Sequence, residues 1–320
     1  MRRYIPYILF GSLLAASCSR DNNDVTQYAP MPIERIDLAV SGYPQSAADI
    51  QSLEPGIGLY IHLMSADTLN RDDALTALSQ NRVTQWFGRD IVERFTVADS
   101  LALPLGRVSA LLPEVSPELK VTNVYGIASP YMQSVIVSDS TVLVALNHYL
   151  GSDYPGYETM PSYVREGKTP TRLPADVAEA VVRVRYPYSP VEGTLLERML
   201  YEGAVAEVVA QATGNDGDAL GYSIADLDTA DHRLKDVWYT LASDGLLYST
   251  ADGEISRLVS PAPFSRVGSI ELPSKIGRYI GLQIIRSYIK NHPDAKPVTL
   301  LENSFYGHPQ QRLIESKFSV

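Results

Sequence analysis

One cysteine in 320 residues excludes any internal disulfide. Histidine is almost as scarce. His62, His148, His232, His292 and His308 are scattered, with no two spaced three to five residues apart and none between residues 149 and 231. A paired-histidine metal motif on one helix is therefore absent. No basic cluster offsets the formal net charge of −10, so nucleic acid, whose phosphates would be repelled, is excluded as a partner. No apolar run reaches the roughly 20 residues a membrane span needs, and no period of about 20–50 residues marks a repeat protein. The sequence contains no G-x-S-x-G nucleophile elbow. "REGKT" at Arg165 to Thr169 resembles the end of a phosphate loop, but its first glycine would fall on Ser162.

The beginning of the chain carries a clear pattern. Arg2 and Arg3 precede an apolar run from Tyr4 to Leu14, then small residues lead to Cys18. This is the layout of a secretory signal over residues 1–17. "LAASC" resembles a bacterial lipobox, whose cysteine thiol is acylated and becomes the new N-terminus. Cys18 is thus expected to be a lipid anchor, with each buried CH₂ contributing about 0.8 kcal/mol to membrane attachment. Processing would remove two arginines and leave 25 cationic against 37 anionic residues. Residues 18–32, polar with two prolines, are expected to form a lipidated flexible tether. Residues 33–320 form the expected single domain.

Within that domain "IERIDLAV" alternates like a strand. Arg71–Asn81 and Arg89–Ala102 are expected helices, with Pro104 interrupting the apolar run that follows. "VTNVYGIAS", "QSVIVS" and "TVLVALNHYLG" are β-rich, and the short "SDS" turn makes the last two antiparallel. From Pro174, suited to a helix start, helices dominate. Thr194–Thr213 is followed by a helix capped by Ser223 and Asp226, in which Leu227, Leu234, Trp238 and Leu241 share a face. "DGLLYSTADGEISRLVSPAPF" is expected to be a turn, a short extended piece and a loop. Lys275–Asn291 and a last helix from Pro309 complete the chain. The expected class is α+β, with a small, mostly antiparallel sheet in the first half and helices in the second.

"LYEGAVAEVV" around Glu202 has the character of a helix that supplies a glutamate ligand to zinc. In the H-E-x-x-H arrangement two histidines on an earlier helix bind the metal and the glutamate between them polarises water. Placing Glu179 at that glutamate position puts Ala178 and Val182 at the histidine positions, 20 residues before Glu202 in the case of Val182. Neither side chain can bind a metal. The register therefore describes a degenerate, zincin-like cleft of Ala178, Glu179, Val182 and Glu202 with no metal, cofactor or catalytic residue assigned. Glu202 is expected to pair with a neighbouring arginine or backbone group, although a functional buried acid is the other reading.

"LNHYLGSDYPGY", "TLLERMLYEG", "LLYSTADGEISRLVSPAPFS" and "SKIGRYIGLQIIRSYIKNHP", in that order, closely resemble the gliding-motility lipoprotein GldB family of the Bacteroidota. The resemblance runs from about Trp86 onward. The family is similar in turn to predicted zinc peptidases. It implies a cell-envelope lipoprotein, anchored in the outer membrane and associated with the machinery that moves or secretes surface adhesins. It carries no catalytic residues across. The leading expectation is a non-enzymatic protein binder; the alternative is a degenerate or unconventional metallopeptidase-like hydrolase.

Overall fold

The computed structural model describes residues 25–95 and 99–320. The signal segment and Cys18 lie outside the described residues. The elements begin with β1 (Ile33–Arg35), followed by the helices α1 (Ile36–Ser41), α2 (Ala47–Ser52), α3 (Gly56–Leu63), α4 (Arg71–Ser79), α5 (Arg82–Arg94) and α6 (Asp99–Val115). The strands β2 (Asn123–Ile127), β3 (Val135–Ser138) and β4 (Thr141–Ala145) come next. A single turn α7 (Ser162–Arg165) leads to α8 (Leu173–Arg185), α9 (Leu195–Thr213), α10 (Asp216–Leu220), α11 (Ile224–Ser243) and α12 (Asp252–Val259). A hairpin of β5 (Ser265–Val267) and β6 (Ile270–Leu272) precedes α13 (Ile276–Asn291), α14 (Asn303–Tyr306) and α15 (Pro309–Ser316).

The class is α+β, but the main sheet is not mostly antiparallel. Its order is β1-β2-β4-β3, with β1 parallel to β2 and β2 parallel to β4. Only the β3–β4 hairpin is antiparallel, turning at Asp139 with φ 48°. The reason is burial. All five β4 residues are buried, as a central strand covered on both faces requires, while β3 is half-exposed at the edge. Alternate residues divide the sheet between two cores. Tyr125, Ile127 and Leu143 face the helices α1–α4, whereas Val124, Val142 and Val144 face the large helical core.

Three other expectations are corrected. "IERIDLAV" is a strand only to Arg35. Arg35 then clamps Asp37 with bonds of 2.8 and 2.7 Å, and Ile36, Ala39 and Val40 bury one face of α1. α6 continues through Pro104, because Leu101, Leu105, Val108 and Leu112 are buried on it and tertiary packing outweighs the local penalty. The piece after Tyr248 is the helix α12, with Asp252 and Glu254 favourably placed in its first turn. The end of the expected tether also lies against α6. The Met31 amide donates to the Ala102 carbonyl at 2.8 Å, and Arg107 sits over the Tyr28 ring.

α9 is the axis of the helical half. Sixteen of its 19 residues are buried, so it is surrounded on all sides. Its start is fixed twice. Thr194 accepts from the Glu197 amide, and the buried Glu197 carboxylate accepts from the Val191, Glu192 and Gly193 amides at 2.6–2.7 Å. Gly214, left-handed at φ 79°, ends it. α13 lies across α9, and Arg286 ties α13 to Glu207 of α9 and Asp216 of α10. The Ser223–Asp226 capping box on α11 is formed in full.

Candidate functional site

A cleft of about 560 Å³ opens between α8, α9, the first turn of α13, the start of β3 and the segment after α12. Glu179 and Glu202 both line it, so the register that paired them in sequence brings them together in space. Ala178 and Val182 do not join them. Both are fully buried and belong to the apolar core.

The two carboxylates are held by arginines. Arg183, one turn after Glu179, donates to it at 2.8 Å and reaches Glu202 with bonds of 3.2 and 2.5 Å. Arg198 reaches Glu202 from within α9 at 3.0 and 2.9 Å. Arg278 of α13 grips both Glu179 oxygens at 2.9 Å. Glu202 is 3% exposed and Arg278 4%. These forked pairs hold the Glu179 carboxyl far below its ordinary range despite burial, through Arg278 and then Arg183.

A zinc ion fits none of this. Ala178 and Val182 offer no donor atoms, and the oxygens of both glutamates already accept charged hydrogen bonds from guanidinium groups. Among the described residues no group of three histidine, cysteine, aspartate or glutamate side chains could hold a metal.

Beyond the arginines lie groups that sequence reasoning did not single out. Tyr149 donates to Asp176 at 2.9 Å, and Arg172 pairs with the same carboxylate at 3.0 Å. Burial pushes the Asp176 carboxyl up. Lys275, the left-handed residue that opens α13, donates to the Leu220 carbonyl at 2.6 Å. At the β3 end Ser134 Oγ lies 3.0 Å from His148 Nδ1. No carboxylate among the described residues hydrogen-bonds His148. Burial, with help from Lys168, pushes its imidazole down to about 4. A base that weak is poorly matched to proton abstraction near neutral pH. The i, i+4 pairs Glu179–Arg183 and Arg198–Glu202 were visible as helix spacing. Arg278, 99 positions from Glu179, had no local signal.

His148 supplies a test of stability. Between pH 6.5 and about 4 the unfolded chain takes up a proton here that the folded chain refuses. Stability therefore falls as pH is lowered through that window, by at most about 3 kcal/mol. Glu179, with its depressed pKa, adds a loss in the same direction below its ordinary 4.5. Urea unfolding at a series of pH values should show the first loss in the native chain and not in His148→Gln.

Among the described residues no helix is long and apolar enough to cross a membrane. No curated protein and no solved structure matches the chain. The family model described as gliding motility protein GldB matches residues 18–319, and the chain belongs to that family.

Proposed function

We propose that this protein is a cell-envelope lipoprotein, anchored through Cys18 in the outer membrane, that serves gliding motility or surface-protein secretion by binding other envelope proteins rather than by catalysis. Family membership supports the link to motility. The observation that carries the binding role is the state of the cleft. Every oxygen of both glutamates accepts a guanidinium hydrogen bond, and Asp176 is engaged by Tyr149 and Arg172, an arrangement that suits charge balance better than the polarising of water. In this reading α8 and α9 are a degenerate zincin-like scaffold whose metal ligands have been replaced by core residues and whose charge is balanced by guanidinium groups.

The test is crosslinking in living cells followed by purification of the full chain. Proteins of the motility or secretion machinery should be recovered from the membrane fraction, and Cys18→Ala should release the chain from that fraction. Recovery of no envelope protein across growth states would overturn the reading. So would stoichiometric zinc that is lost on Glu202→Gln.

A further inference from the structure

The cleft does not share the charge of the chain around it. The protein carries 37 acidic against 27 basic residues, yet five cations, Arg172, Arg183, Arg198, Lys275 and Arg278, line the cleft beside only Asp176, Glu179 and Glu202. The lining therefore holds two more cations than carboxylates inside an acidic molecule, and Lys275 is the cation in it without an ion-pair partner. Lys275 has no carboxylate within salt-bridge distance among the described residues, and its ammonium is satisfied only by the Leu220 carbonyl. Arg278 uses both terminal nitrogens on Glu179, but its Nε is buried without a hydrogen-bond partner. A buried donor without an acceptor is destabilising. An ammonium that lines the cleft with only a neutral carbonyl as partner is a place where an anionic oxygen would be gained.

The rest of the lining decides which anion. Val135, Ala180, Val259 and Pro261 add apolar residues to the lining, and Met132, 90% exposed, immediately precedes the lining residues Gln133–Val135 in the chain. A lining of apolar residues with an excess of cations suits a ligand that offers carboxylates among apolar side chains. We infer that the cleft is a receptor for an acidic polypeptide segment, one carboxylate of which is taken by Lys275. This rests on the cleft being a binding surface and names the chemistry of its partner.

The protonation of Lys275 gives the site a pH dependence. The groups facing it are Arg278 of its own helix, Glu179 and Asp176 of α8, and Arg172 before α8. Burial first, then Arg278, pushes its ammonium down to about 8. The charged form, which an anion needs, is lost as pH rises through that value.

The experiment uses the full chain in detergent and two capped octapeptides, one alternating alanine and glutamate, the other with glutamine for glutamate. Calorimetry at low salt should show the acidic peptide binding at least ten-fold more tightly, a difference of about 1.4 kcal/mol. Raising salt to about 0.5 M should weaken it. Affinity should fall from pH 7 to pH 9. Lys275→Met should weaken it about ten-fold and Lys275→Arg should retain it, while losing the pH dependence. Equal binding of both peptides would overturn the inference, as would an acidic-peptide affinity indifferent to Lys275→Met in a variant that still melts like the native chain. Binding of inorganic phosphate or of phosphatidylglycerol in the micelles, without the acidic peptide, would assign the cleft to phosphate and also overturn it. If crosslinking recovers motility proteins equally well with Lys275→Met, the partner-binding role stands and this site falls. If the acidic peptide binds as described and crosslinking recovers nothing, the site stands and the motility role falls.

Discussion

Arg278→Met is expected to lower the unfolding free energy by about 3 kcal/mol, seen as a shift of the urea midpoint at pH 7. The side chain is 4% exposed and holds both oxygens of Glu179 at 2.9 Å. Methionine fills much of the same volume, so the loss is electrostatic rather than a cavity. Glu179 is left inside the cleft with Arg183 alone. The full cost of an unpaired buried charge would be larger, and the remaining 2.8 Å bond to Arg183 places the expectation at the low end of the range. The double variant Arg278→Met, Glu179→Met should recover most of the loss, to within about 1 kcal/mol of the native chain. A buried ion pair contributes little net stability against apolar residues of similar size, while half a pair is costly. If the double variant were as unstable as the sum of its parts, the cluster would be holding the helices together directly. The acid response carries the same signature. With Arg278 gone, the force depressing Glu179 is weakened, and the stability lost between pH 4.5 and lower values should shrink.

What the sequence made legible follows the range of the interactions concerned. Helix ends were readable wherever one local group fixes them. Pro174 lies in the first turn of α8, Thr194 caps α9, Ser223 and Asp226 close the box on α11, and Pro309 opens α15. The β3–β4 hairpin was readable for the same reason, since a turn of a few residues allows only one strand direction. The pairing of β2 with β1 joins distant segments of the chain, and that of β2 with β4 passes over β3 to the edge of the sheet and back, so no local pattern encodes either. The site divides in the same way. Glu179 and Glu202 were paired by their helix register, and Arg183 and Arg198 lie one turn from each. Arg278 and Lys275 reach the cleft only because α13 packs on α9, so their part in it is a property of tertiary structure. The glycine in "LYEG" was read as part of a ligand helix, and its role is set by that same packing.

Gly281→Ala is expected to cost about 3 kcal/mol, the upper part of what overpacking usually costs, although alanine is the better helix former. A Cβ at Gly281 would fall far inside van der Waals contact distance of the Met199 carbonyl oxygen, and one at Gly203 would meet the Gly281 backbone. These atoms are main chain in the middle of two long helices and cannot swing aside. Accommodating one methyl group requires α9 and α13 to separate along their contact, which loosens the apolar packing of Met199, Ile280 and Ile284. Gly88→Ala on α5 provides the control. No atom lies within 4 Å of a Cβ there, so helix propensity acts alone and the change should stabilise by about 0.5–1 kcal/mol. The two substitutions are chemically identical and opposite in expected sign. Their urea midpoints therefore separate the intrinsic preference of the residue from the contact it makes. The Gly281 variant should also weaken any ligand bound in the cleft, because a displaced α13 carries Lys275 and Arg278 away from α8. If Gly281→Ala were neutral, the close approach of α9 and α13 would not be what places the cationic wall opposite Glu179, and α10, joined to α13 through Asp216 and Arg286, would have to hold it there instead.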